Sequence, residues 1–248
     1  MFLQLSTWPE IEAYLKTNKS IIIPIGSTEQ HGPTGLIGTD AICPQTLAQG
    51  IEKQCQALIA PTINFGMAQH HLGFPGTISL RPSTLMALIF DIVNSLAVHG
   101  FEKIYFLNGH GGNVATLEAA FDSIYAESSF KSTSIFSKLE CRLHNWWEHR
   151  ELKNLSKELH GENEGWHATP GEIALTYFAY PHAVKSATLH PQIAPIGEFR
   201  DASDFRQQFP DGRIGSDPSK ASVATGEKLY QIAVACVLKD YLDFVNNA

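Results

Sequence analysis

Two short runs of the chain combine carboxylates and imidazoles with glycine. The first is Gly26-Ser27-Thr28-Glu29-Gln30-His31-Gly32-Pro33, followed by Gly38-Thr39-Asp40; the second is Asn108-Gly109-His110-Gly111-Gly112-Asn113. Hard carboxylate oxygens and imidazole nitrogens suit Zn²⁺, Mn²⁺ or Fe²⁺, and glycine lets backbone and ligand approach closely. Glu29 and His31 are two apart, so in extended backbone both side chains point the same way. The pattern is that of a metal site, and it suggests metal-assisted hydrolysis. Taken alone, Asp40 after Thr39 also suits a helix N-cap. His110, a loop imidazole among glycines, has little apolar packing to satisfy, whereas Asn113 is expected to cap the helix that follows.

A third cluster is Trp166-His167-Ala168-Thr169-Pro170-Gly171-Glu172. Thr169 and Glu172 at capping-box spacing, with Pro170 at the first helical position, would by themselves explain the glutamate. The functional reading makes Glu172 a metal ligand and His167 a proton donor or oxyanion stabiliser, with either His167 or Glu172 protonating the leaving nitrogen. His70 and His71 are read as pocket lining or as a turn. Trp146, Trp147 and Trp166 are candidates for a pocket wall, although an aromatic pair such as Trp146-Trp147 also suits a core. His110-Gly111-Gly112 faintly echoes a serine-esterase oxyanion loop, but the G-x-S-x-G elbow is absent.

The elements that must position these residues alternate. Ile21-Ile22-Ile23-Pro24-Ile25 is an apolar, β-branched run expected of a strand buried on both faces. Ile42, Leu47 and Ile51 line up at helical spacing, and Leu58-Ile59-Ala60 reads as the next strand. Residues 81–100 form the clearest helix, with Gly100 where a C-terminal cap belongs. Ile104-Tyr105-Phe106-Leu107 is a strand, residues 114–127 a helix, residues 133–136 a further strand. Helices are expected from Pro170 and over residues 219–244. Residues 146–165 and 201–216 read as loops. Such alternation implies βαβ units and a mainly parallel sheet with helices on both faces, and sites in such sheets lie beyond the carboxyl ends of the strands.

The chain has 248 residues, 44% hydrophobic and 17% charged, with net charge −7 and mean hydropathy −0.09. The charged fraction falls below the ~25% usual for soluble domains, which fits either a surface covered by partner subunits or a merely uncharged one. The absence of a Lys/Arg cluster argues against a nucleic-acid partner. No apolar run approaches the ~18 residues of a membrane span, and the first residues do not form a signal peptide. Four cysteines without CxxC pairing suggest free thiols and a cytoplasmic enzyme.

Taken together, the ordered motifs resemble the creatininase (creatinine amidohydrolase) family almost end to end. They include His70-His71-Leu72-Gly73-Phe74-Pro75-Gly76-Thr77 and Gly215-Ser216-Asp217-Pro218 besides those above. The resemblance implies one three-layer α/β/α domain over residues 1–248 with a mainly parallel central sheet. It also implies two divalent metal ions per chain (zinc, manganese or iron), hydrolysis of a C–N bond in a cyclic amide, formamide or peptide-like substrate, and commonly a homohexamer. Carried over, Glu29 and His110 would bind one metal, His31 the other, and Asp40 both; His167 matches the proton-transfer histidine. Creatinine-hydrolysing members carry a glutamate ligand where this chain has Gly112, so Glu172 is expected to complete that shell, and creatinine itself is in doubt. The competing reading is a non-catalytic metal-binding scaffold or small-molecule-binding protein of the same fold.

Overall fold

The computed structural model describes residues 1–131 and 138–247; the strand expected over residues 133–136 lies outside them. Three parallel strands form the sheet in the order β1 (Ser20–Ile25), β2 (Lys103–Asn108), β3 (Glu140–Asn145). They run in step, with Ile25 opposite Asn108 and Asn108 opposite Asn145, so their carboxyl ends fall level. The stretch expected as a strand at residues 58–60 pairs with the free edge of β1 only through isolated bridges, with Ile22 N donating to Leu58 O and Ala60 N to Ile22 O. Ile22 and Pro24 both turn their polar groups toward this edge, since Pro24 O accepts from Ile63 N. The amide that Pro24 lacks is therefore missing on the bridged side and not from the β1–β2 ladder, which explains a proline in a buried strand.

Eight α-helices flank the sheet among the described residues: α1 (Trp8–Tyr14), α2 (Thr39–Glu52), α3 (Pro82–Val98), α4 (Val114–Lys131), α5 (Arg150–His160), α6 (Pro170–Ala179), α7 (Ala202–Gln208) and α8 (Val223–Asn246). Alternate strand residues feed two cores, as side chains of a strand must. Ile21, Ile23, Ile25, Ile104 and Phe106 pack with Leu85, Ile89, Val93 and Leu117 of α3 and α4. Ile22, Tyr105 and Leu107 pack with Leu47, Ile51, Leu175, Leu229 and Val237 of α2, α6 and α8. The result is the expected three-layer α/β/α arrangement. Gly100 ends α3 at φ +93°, the left-handed conformation that favours glycine there.

Three expectations are corrected. Residues 146–165 are not a loop, because α5 occupies their middle, its Leu152 buried against α8. Residues 201–216 are not a surface loop either: α7 buries Phe205, and Phe209 and Arg213 beyond it are also buried. The last helix starts at Val223, capped by Ser222, after a separate 3₁₀ turn at Pro218–Lys220.

Candidate metal centre

Asp40 lies in the first turn of α2, where Gly38 is the N-cap, so its carboxylate is not spent on capping. A Cβ on Gly26, just past β1, or on Gly109, just past β2, would collide with the Asp40 carbonyl. The two strand ends thus seat the Asp40 main chain between them, for which glycine is required at both. The carboxylate is 3% exposed. Its Oδ1 stands 3.0 Å from His31 Nε2 and its Oδ2 2.9 Å from His110 Nδ1.

Each imidazole sets its other nitrogen on a main-chain carbonyl: His31 Nδ1 on Glu29 O at 3.1 Å, His110 Nε2 on Met67 O at 2.9 Å. Metal-ligating histidines are held in this way, the second N–H fixing tautomer and orientation. Glu29 is fully buried, with Oε2 3.3 Å from His110 Nε2 and Oε1 3.2 Å from His71 Nε2. Both Glu29 oxygens and Asp40 Oδ2 approach these rings without hydrogen-bond geometry, and among the described residues they have no hydrogen-bond partner. Buried carboxylate oxygens left so are costly, and a divalent cation among them would satisfy them. Donor atoms of Glu29, Asp40 and His110 lie within 4.8 Å of one another, as do those of His31, Asp40 and Glu172. A third such trio, Glu29, His31 and His167, overlaps the other two, and the residues therefore fit a divalent-metal centre.

Glu172 divides its carboxylate. Oε1 accepts from Thr169 N at 2.6 Å while Thr169 Oγ1 accepts from Glu172 N, closing the capping box of α6. Oε2 is left facing His31 Nε2 at 3.9 Å. The cap and the approach to the cluster are thus compatible.

Burial opposes charge on His31 and His110, but the carboxylates around them prevail, Asp40 foremost at His31 and Glu29 foremost at His110, and raise the rings to about 10 and about 9. Burial also raises Asp40, yet the two imidazoles override it and hold its carboxyl well below the usual range. At Glu172 burial dominates and lifts the carboxyl to about 7, against the pull of His31.

His167 is fixed by Gln30, which sequence reasoning missed. Gln30 Nε2 has two hydrogens and lies near three groups: Gly212 O at 2.9 Å, His71 Nδ1 at 2.9 Å and His167 Nε2 at 3.0 Å. Gly212 O can only accept. His167 Nε2 also lies 2.9 Å from Gln30 O, an acceptor, so it carries the proton and donates there. His71 Nδ1 takes the second amide hydrogen, which puts an N–H of His71 toward Glu29. The unprotonated Nδ1 of His167 then faces the cluster, 3.9 Å from Glu29 Oε1. Burial holds the His167 ring well below its usual pKa, consistent with a neutral imidazole.

The turn that presents Gly212 is anchored by Arg213, fully buried, which binds Asp211 and the carbonyls of Pro191, Gln192 and Ser216. Only the position of Gln30 between Glu29 and His31 could have flagged it; nothing local marks Arg213.

Asn113 does not serve as a cap. Its Oδ1 accepts from Met67 N and its Nδ2 donates to Gly26 O, tying the Met67 and Gly26 loops together. His71 lies behind Glu29, stacked on His167 at 4.4 Å, and His70 packs on Phe199; neither lines the main cavity. Trp146, Trp147 and Trp166 do, together with His110, His167 and Glu172, around about 550 Å³.

Fold and cluster together define an α/β protein with a histidine–carboxylate centre at the carboxyl edge of a parallel sheet. The chain belongs to the creatininase (creatinine amidohydrolase) family, whose pattern matches residues 4–240. It is 37% identical over 131 residues to a mycofactocin precursor peptide peptidase of Mycobacterium ulcerans, covering 49% of this chain and 48% of the relative. The match thus spans about half the length of that peptidase. A 3-dehydro-scyllo-inosose hydrolase of Thermotoga maritima is 27% identical over 98% of this chain and 81% of its own. A solved creatinine amidohydrolase superposes with TM-score 0.88 at 24% identity, over 100% and 98% of the two chains, and shows the shared fold. Solved creatininases of the same fold include forms named for manganese and for a zinc–zinc pair.

Proposed function

We propose that the chain is a metal-dependent amidohydrolase acting on a C–N bond of a small cyclic amide, formamide or peptide-like substrate. The carrying observation is Asp40, whose two carboxylate oxygens address two imidazoles that each anchor the opposite nitrogen on a carbonyl. Glu29, Asp40 and His110 would hold one divalent ion, zinc or manganese, and His31, Asp40 and Glu172 the other. When bound, such ions supply a nucleophile at neutral pH and polarise the scissile carbonyl.

The protein's own groups do the rest. His167, neutral with Nδ1 directed at the cluster, accepts a proton as the nucleophile forms and returns it to the leaving nitrogen. A positioned general acid–base of this kind is worth about 10²–10⁴-fold in rate. The Gln30 carbonyl holds His167 Nε2 and keeps the accepting nitrogen inward. Glu172 holds Oε2 beside His31 by spending Oε1 on its cap, and so keeps one orientation. Trp146, Trp147 and Leu152 give the cavity an apolar wall, and Lys153 and Lys157 add positive charge to its lining.

Exposed Trp166, at 77%, on the cavity rim supports a reading in which a second copy of the chain closes the pocket. No helix among the described residues is long and apolar enough to cross a membrane.

The test is elemental analysis with turnover of an amide and formamide panel before and after chelation. Near two ions per chain, with turnover lost on chelation and restored by zinc or manganese, is expected. Metal-free protein with turnover unaffected by chelator overturns the reading.

A further inference from the structure

The start of α5 carries a second cluster that shares no residue with the Asp40 centre. His149 is the N-cap of α5 but makes no capping bond there, although that position ordinarily favours a short polar side chain that does. Its Nε2 is buried, and among the described residues it has no hydrogen-bond partner. One nitrogen of His149, a carboxylate oxygen of Glu151 in the first turn of α5 and Sγ of Cys236 on α8 lie within 4.8 Å of one another. Next to them stands His144 at the end of β3, its ring 4.7 Å from that of His149. His144 Nδ1 is turned to Asp240 Oδ2 at 3.2 Å, leaving Nε2 buried and, among the described residues, likewise without a partner.

We infer that His149, Glu151 and Cys236 bind one divalent transition-metal ion, zinc in the first instance, with His144 beside His149 but outside the trio. The donor types are right: thiolate, imidazole and carboxylate are the zinc set, and three protein donors leave the fourth tetrahedral position to a water. Bond lengths of ~2.0–2.3 Å require ligand atoms about 3.3–3.8 Å apart, a contraction that the exposed Glu151 and the unpinned His149 can make by side-chain rotation. Binding breaks no bond but the S–H of Cys236, whose proton leaves to solvent.

The three residues come from two helices that the site would tie together. α5 carries Leu152, Lys153, Ser156 and Lys157 of the cavity wall, so an ion at its first turn would clamp that wall to α8. The metal would then set the stiffness of the pocket without touching the substrate.

The experiment compares the full-length protein with Cys236→Ser and His149→Ala after loading with zinc or cobalt. The cobalt-loaded wild type is expected to show a thiolate-to-cobalt charge-transfer band that Cys236→Ser lacks, and each variant should hold one zinc fewer per chain. Alkylation of Cys236 in the wild type, read by peptide mass spectrometry, should slow about tenfold with zinc, because the coordinated thiolate is withdrawn from attack. No charge-transfer band, a band that persists in Cys236→Ser, or alkylation at Cys236 unchanged by zinc would overturn the inference. The alkylation result decides even if a variant fails to fold.

Discussion

Asp40 meets His31 through one carboxylate oxygen and His110 through the other, at 3.0 and 2.9 Å. His31 comes from the loop after β1 and His110 from the turn after β2, so one side chain joins the outputs of two strands. Replacing it should therefore remove both ions together. Asp40→Asn is expected to bring metal content close to zero and to abolish turnover, while Glu172→Gln should lose only the ion beside His31. Elemental analysis of the two variants separates these outcomes, and equal metal loss in both would break the assignment of Glu172 to a single ion.

His167→Ala should lower kcat by about 10²–10⁴-fold with metal content unchanged, as befits a proton-transfer group. Loss of an ion in that variant would make His167 a ligand instead.

Gly112 stands where creatinine-hydrolysing relatives are expected to carry glutamate. A Cβ at Gly112 would overlap His110 Nε2 and come to 2.6 Å from Met67 O, the two atoms that bond each other here. Gly112→Ala should destabilise by about 1–3 kcal/mol, the usual cost of overpacking, and weaken metal binding through His110. Thermal unfolding and zinc titration read the two effects; a fully stable, metal-replete variant would show that the turn yields easily.

Removing the metals should make rebinding proton-linked. His31 and His110, raised to about 10 and about 9, carry protons at neutral pH in the apoprotein, and an ion can bind only neutral imidazole. Zinc affinity of the chelated protein should therefore rise with pH between 6 and about 9, with protons released on binding. Isothermal titration in buffers of different ionisation heat measures the release.

Asp240 makes an acid-stability prediction. Burial raises its carboxyl, but hydrogen bonds from His144 and Tyr105 and the charge of Arg142 hold it well below its ordinary 3.8. A carboxyl depressed in the fold stabilises above its unfolded value and loses that contribution as pH falls through it toward the folded one. Asp240→Asn should unfold at a lower temperature at pH 7, by an amount equivalent to about 1–2 kcal/mol for a part-exposed charged hydrogen-bond network, and the difference should shrink below pH 4. Thermal melts of both proteins across pH 3–7 decide it.

The strands were legible because Ile21 to Ile25 and Ile104 to Leu107 are short apolar runs bounded by glycine, and the helices because α3 and α4 repeat at 3 and 4. β3 was not, since Glu140–Asn145 mixes charged with apolar residues and is mostly half-buried, Cys141 and Leu143 packing on the α3–α4 side while Arg142 lies over Phe244. α5 was legible and was passed over: Leu152, Leu155 and Leu159 recur at spacings of 3 and 4, with charged residues on the other face. In the centre, Glu29, His31, Asp40 and His110 could be named from residue type and spacing. The place of Gln30 and Arg213 could not, because it depends on Gln30 meeting Gly212 across 182 positions and His167 across 137, contacts that only folding provides.

Gly26 and Gly109 grip the Asp40 main chain from neighbouring strands that are in step. Adjacent parallel strands keep a spacing of about 4.8 Å whatever side chains they bear, so the sheet serves as a ruler for the centre it supports. Isoleucines beneath it can be exchanged, and the walls around α5 rebuilt for another substrate, without changing the gauge. What the walls admit is therefore free to change far more readily than the distance between the side chains that follow β1 and those that follow β2.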